Sequence, residues 1–163
     1  MGEIVKLNKN LDGDIFLKEK NFNKLKIEIE KTRKTYPNSR IVFFGEDDEI
    51  NRQVLEKAKI DLILITLSRR KDFSKQRNSG LNTVLVNIAK KNRIEIGIDL
   101  DELDNLNKKE KSEILARIIQ NINLCKKKKV QMKFISRKKR INLFTIKSLG
   151  LSLGMPTWMT KNL

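Results

Sequence analysis

Residues 61–100 read DLILITLSRRKDFSKQRNSGLNTVLVNIAKKNRIEIGIDL, and their hydrophobic pattern decides the fold class. The run at 61–67 (DLILITL) is too short for an ordinary helix and too continuously apolar for a strand with one wet face. It reads as a strand covered on both sides. A polar, basic stretch follows, and Asn82 then opens a helix on which Val84, Leu85, Ile88 and Ala89 recur at helical spacing. Residues 94–100 (IEIGIDL) read as a strand again. Strand, helix, strand in this order is a parallel pair joined by a helical crossover.

The alternation continues on either side of this unit. Residues 41–45 (IVFFG) and 130–136 (VQMKFIS) are further strands, and 14–17 supply a weaker one. Phe22, Leu25 and Ile29 mark a helix ahead of Pro37, and Asp48 can cap one carrying Val54 and Leu55. Asn107 followed by Glu110 has capping-box spacing and opens a longer helix. On that helix Ile114, Leu115, Ile118, Ile119, Ile122 and Cys125 form the apolar stripe, while Lys111, Glu113, Arg117 and Gln120 are placed off it. No Pro/Gly/Ser-rich linker and no repeat interrupts the chain, so residues 1–163 are expected to form one α/β domain of parallel strand–helix repeats. A complete eight-stranded barrel needs about 250 residues. A chain of 163 residues therefore makes a reduced barrel or an open sheet, and periodicity does not choose between them.

Charge narrows the function. Lys and Arg total 36 against 20 Asp and Glu, a net charge of +16, which favours a polyanionic partner. Histidine is absent. This disfavours the triads, zinc sites and acid–base pairs on which most hydrolases depend. The single Cys125 has no second thiol to pair with and reads as core filler. No apolar run approaches the roughly 20 residues needed to cross a bilayer, and Glu3, Lys6 and Asn8 sit where a signal peptide would carry its apolar core. A soluble, cytoplasmic protein is expected.

The candidate binding groups fall in two basic loops, each directly after a strand, where α/β folds place their working loops. The first carries Arg69, Arg70, Lys71, Lys75 and Arg77, with Phe73 among them as a group able to stack on a base. The second is Arg137, Lys138, Lys139 and Arg140. At one end of a parallel sheet the two would converge into a single patch able to neutralise phosphates. Lys126 to Lys129 instead end a helix, where cations offset the negative end of its dipole. A competing reading uses carboxylates: Glu46, Asp47 and Asp48 follow one strand and Asp99, Asp101 and Glu102 another, and in a metal-dependent phosphoesterase Glu46, Asp47, Asp61 or Asp99 would ligate Mg²⁺. The simpler account makes Asp48 a cap and lets Asp101, Glu102 and Asp104 favour the positive start of the next segment.

Several stretches taken together resemble the ribonuclease P protein component three family of archaea and eukaryotes. They are residues 49–56 (EINRQVLE) leading into 60–64 (IDLIL), then Ser79, Gly80, Leu81 and Asn82 continuing as Thr83-Val84-Leu85, and 89–92 (AKKN) before the next strand. Arg117, Asn121, Leu124 and Lys126, the strand ending at Ser136, and 149–155 (LGLSLGM) extend the match. Departures are Thr83 where the family often has histidine, Gly97 where an acidic residue is common, and a shortened, more basic loop at 137–142. The resemblance implies a reduced TIM-barrel-like fold similar to the polymerase and histidinol phosphatase superfamily. It also implies a protein subunit of ribonuclease P that binds and supports the catalytic RNA removing the 5′ leader from precursor tRNA. Catalysis and its Mg²⁺ would then reside in the RNA, with no cofactor and no catalytic residue on this chain. The small α/β subunit called component two is the implied protein partner, in a heterodimer or heterotetramer. Phe144, Trp158 and Met159 are apolar candidates for that contact, or for the core. The alternatives are the phosphoesterase above and a generic basic module for RNA.

Overall fold

In the computed structural model, which describes residues 13–163, each strand lies beside the one that precedes it in sequence. The strands are β1 (Ile15–Leu17), β2 (Ile41–Gly45), β3 (Leu62–Ile65), β4 (Glu95–Asp99) and β5 (Met132–Ile135), all paired in parallel in the order β1-β2-β3-β4-β5. The chain start read from Glu3, Lys6 and Asn8 lies outside the described residues. The crossovers carry α1 (Phe22–Thr35), α2 (Asp48–Lys57), α3 (Thr83–Asn92) and α4 (Lys108–Lys128), and the chain closes with α5 (Leu143–Ser152) and α6 (Thr157–Thr160). Parallel crossovers share one hand, so a strictly sequential strand order puts every crossover helix on the same face of the sheet. That is the winding of a barrel, not of a doubly wound open sheet.

The two faces differ accordingly. Ile41, Phe43, Ile63, Ile65, Ile96, Ile98, Met132 and Phe134 point outward into the main core, where they meet Leu25 and Ile29 of α1, Val54 and Leu55 of α2, Val86 and Ala89 of α3, and Ile114, Ile118 and Ile122 of α4. The alternate positions Phe16, Val42, Leu62, Leu64 and Ile135 form a second, smaller cluster on the inner face. On that face Gly97 of β4 leaves room for its neighbours, since a Cβ there would stand 2.5 Å from the Cδ2 atoms of Leu62 and Leu64. The sheet curls around this inner cluster. Arg40, before β2, reaches Glu95 of β4 (3.7 Å), and the guanidinium of Arg137, after β5, lies 4.7 Å from the ring centre of Phe44 in β2. Five strands curled in sequential order make a reduced TIM-barrel-like fold, which resolves the choice left by periodicity.

Local signals explain most element starts. Asn21, Asn82 and Asn107 cap α1, α3 and α4, and Asn107 with Glu110 forms the full capping box. Three expectations need correction. Asp47, not Asp48, caps α2 by accepting from the Ile50 amide, because Asp48 is already the first helical residue. On α4 the buried stripe is Ile114, Arg117, Ile118, Asn121, Ile122 and Cys125, while Ile119 is 40% exposed. Arg117 thus belongs to the inward face on which it was not placed. Finally, residues 100–103 form a short 3-10 turn (Leu100–Leu103) capped by Asp99, in which Asp101 and Glu102 turn inward and do not serve the dipole of a following helix. Cys125 is core filler as expected, with burial pushing its thiol pKa up to about 12. No helix among the described residues is long and apolar enough to cross a membrane.

Candidate nucleic-acid interface

The long loop between β3 and α3 leaves the C-terminal end of the sheet and is held from below by two arginines. Arg70 turns inward with only 8% of its side chain exposed. Its guanidinium makes a two-pronged pair with Asp48 (2.8 and 3.0 Å) and donates to the Thr66 carbonyl and the Asn78 Oδ1. Arg117 rises from α4, 3% exposed, and donates to the carbonyls of Leu67 (3.2 Å) and Arg70 (2.9 Å) and to Asp72 (2.9 Å). Asp72 in turn accepts from the Asn78 amide, and this bond, with Arg117 beside it, holds the Asp72 carboxyl below its ordinary pKa. Asn121, one turn along α4, donates to the Ser79 carbonyl. The loop is therefore a supported platform.

This support accounts for the residues 79–82. Ser79 and Leu81 are buried under the loop, Asn82 caps α3, and Gly80 adopts φ +74° directly above Arg70. A Cβ at Gly80 would come within 2.6 Å of the Arg70 guanidinium and of Ile65. Only glycine meets both the dihedral and the space. Of the five basic residues predicted here, Arg69, Lys71, Lys75 and Arg77 are exposed, whereas Arg70 is occupied inside. Phe73 is 59% exposed at the tip, where its amide bonds the Gln76 carbonyl across a tight turn.

The loop after β5 is built on the opposite principle, with buried anions holding a cation. Asp101 accepts from the Ser136 hydroxyl (2.7 Å) and the Arg137 amide (2.8 Å), while Asp99 accepts from the Arg137 guanidinium (3.0 Å). Burial pushes the Asp99 carboxyl above its ordinary pKa despite that pair. Lys138 and Lys139 lie exposed within 3.8 and 3.5 Å of Asp104, and Arg140 is exposed next to them. Both loops thus emerge from the same end of the parallel sheet, and each presents outward cations. Met159, offered as an interface or core residue, is fully buried; Trp158 and especially Phe144 are exposed.

The carboxylates considered as metal ligands are distributed among other tasks. Glu46 pairs with Lys18, Asp47 caps α2, Asp48 holds Arg70, and Asp61 accepts from Arg33 and the Ile41 amide. Glu102 accepts from the amides of Leu67 and Ser68 and from the Ser68 hydroxyl, and burial raises its pKa. Among the described residues no group of three or more carboxylates, cysteines or histidines is placed to hold a metal ion. Sequence reasoning missed Arg117, Asn121, Glu102 and Ser136 as the supports of the two loops. For Arg117 and Asn121 a signal existed: both stand at helical spacing from Ile114, on the line that carries the core.

No family model matches the chain. Individual proteins do. Ribonuclease P protein component 3 of Methanococcus vannielii is 31% identical over 102 residues, covering 61% of this chain and 42% of the relative. That of Methanococcus maripaludis, strain C7, is 30% identical over 118 residues, covering 71% and 48%. The chain thus spans about half the length of the curated relatives it matches. In fold it is similar to a chain of the cryo-EM structure of archaeal ribonuclease P with mature tRNA, with a TM-score of 0.74, 23% identity, and coverage of 90% of this chain and 62% of that one. The resemblance read from the motifs is thereby borne out: over the segment they share, this chain is a homologue of ribonuclease P protein component 3.

Proposed function

We propose that this chain is a protein subunit of ribonuclease P, binding and supporting the RNA that removes the 5′ leader from precursor tRNA. The observation that carries the reading is the sequence similarity to several ribonuclease P protein component 3 chains. The physical design supports it: a net charge of +16 with outward cations in two loops at one end of the sheet. Arg69, Lys71, Lys75, Arg77, Lys138, Lys139 and Arg140 would neutralise RNA phosphates, while Arg70 and Arg137 would hold the loops that carry them. The reaction and its Mg²⁺ would belong to the RNA, and this chain would contribute neither catalytic residue nor cofactor. A cytoplasmic ribonucleoprotein is the expected setting. Component two, the small α/β subunit, would be the protein partner in a heterodimer or heterotetramer. Exposed Phe144 (78%) and its neighbours Leu143 and Leu151 on α5 are suitable groups for that contact.

The test is to recover the tagged chain from its native cell at moderate salt and sequence the RNA that accompanies it. Enrichment of ribonuclease P RNA over transfer and ribosomal RNA, with 5′-leader cleavage by the recovered complex, is the expected result. Recovery of bulk ribosomal RNA alone would instead support a generic basic module. Mg²⁺- or Mn²⁺-dependent hydrolysis by the RNA-free protein, abolished by Asp99→Asn, would overturn the assignment in favour of a phosphoesterase.

A further inference from the structure

Beside the platform loop, a cleft of about 740 Å³ runs between the loop tip and the start of α3. Phe73 and Val84 line it, and both are large apolar side chains left mostly in water, 59% and 61% exposed. Around them stand Gln76, Arg77, Asn82 and Gln120. The Asn82 side chain accepts from the Leu85 amide through its Oδ1, which leaves its NH₂ to donate; Gln120 donates to the Arg77 carbonyl, which leaves its Oε1 to accept. Of the two acidic residues on the rim, Asp48 is neutralised by Arg70 and Glu49 accepts from Gln53.

We infer that this cleft takes an unpaired nucleotide of RNA, with its base stacked on Phe73 and its phosphate facing Arg77. The inference rests on the RNA-binding reading and adds to it a site for a base, not only for phosphates. The chemistry is selective. A flat apolar ring in water offers a stacking face, free amide groups offer a donor and an acceptor to a base edge, and Arg77, half exposed and 3.9 Å from Asp72 in a loose pair, offers a phosphate contact. A base inside a duplex has its faces and its pairing edge occupied and has no reason to enter. The hydrogen bond from the Phe73 amide to the Gln76 carbonyl closes the backbone turn that carries the ring before binding, which lowers the ordering cost of the loop.

The full chain should be titrated with a short single-stranded RNA carrying one 2-aminopurine, and with the same strand annealed to its complement. Binding of the single strand by the unaltered chain is expected to quench the 2-aminopurine. Phe73→Ala should weaken single-strand binding about tenfold and abolish the quench, while changing duplex binding less than twofold; Phe73→Tyr should retain both. Val84→Glu, an exposed change in the first turn of α3 where an acid is tolerated, should weaken the single strand in the same selective way. Single-strand binding unmoved by both variants, or equal losses on single strand and duplex, would overturn the inference. If the outward cations carry salt-dependent binding that ignores Phe73, only the base site falls, and the exposed ring is left as a contact for a protein. If the unaltered chain binds neither RNA, the RNA-binding reading falls with it.

Discussion

The two basic loops at the C-terminal end of the sheet solve the same problem in opposite ways. After β3, a buried cation from a neighbouring helix, Arg117, gathers the backbone carbonyls and Asp72 of a long loop. After β5, the buried carboxylates Asp99 and Asp101 gather the amide, hydroxyl and guanidinium of a short one. In each case a member of the basic run itself, Arg70 or Arg137, is consumed in fixing the loop. The remaining cations face water. A run of positive residues is therefore not one functional unit; some of its charges build the support that aims the others.

The largest effect on the difference between the two loops is expected from Arg117→Ala. It strips the buried Leu67 carbonyl and the partly buried Arg70 carbonyl of their donor and empties a packed position, so it should cost about 3 kcal/mol in urea unfolding. Arg117→Lys should regain less than half, because one ammonium cannot reproduce the fork that spans three acceptors. A cost below about 1 kcal/mol would show that the loop holds itself.

Arg137→Ala should cost less, about 2 kcal/mol near neutral pH, since it leaves Asp99 and Asp101 buried side by side without their cation. Its pH dependence distinguishes it from Arg117→Ala. The pKa of Asp99 is already raised by burial, and removing Arg137 raises it further. The folded variant therefore takes up a proton sooner on acidification, and its deficit shrinks as pH falls through that raised value. Unfolding curves at neutral and mildly acidic pH would check this, and a deficit independent of pH would refute it.

Asp72 makes the opposite prediction on a smaller scale. Its pKa is lowered, so its grip on the loop is present above the ordinary carboxylate range and is lost as pH falls through the lowered value. Asp72→Asn should speed hydrogen exchange of loop amides such as Asn78 and scarcely move the unfolding midpoint. The smallest effect on stability belongs to the outward cations. Replacing Arg69, Lys71 and Lys75 together by Ala, or Lys138, Lys139 and Arg140 together, should stay within about 0.5 kcal/mol, yet each triple should flatten the salt dependence of RNA binding by two to three released ions, on the order of one per lost contact. If only one triple changes the slope, the patch is one loop and not two.

The fold class was legible because strand and helix periods alternate without ambiguity between residues 41 and 136, and because asparagine and aspartate caps announce the helices. The C-terminal helices were less legible: α5 is apolar around most of its circumference, with only Gly150 buried, so no stripe marks its inward face. The candidate cations were legible as runs, and the motif at 79–82 was visible as a motif. Its physical meaning was not, since Gly80 is required by Arg70 ten residues earlier, and Ser79 is held by Asn121 from a different helix.

The parallel α/β architecture, the helix caps, the exclusion of histidine chemistry and the cationic character of the surface were already set in the amino-acid order and composition. These depend on local spacing and on composition, which act within a turn or over the whole chain. The curl of the sheet toward a barrel, the inward turn of Arg70, Arg117 and Arg137, and the pairing of the carboxylates with cations and amides arose from long-range packing alone. Those outcomes depend on groups that meet across 22 to 50 residues of sequence. A buried charge takes the partner that geometry brings to it, and that partner is not encoded in the spacing around either residue.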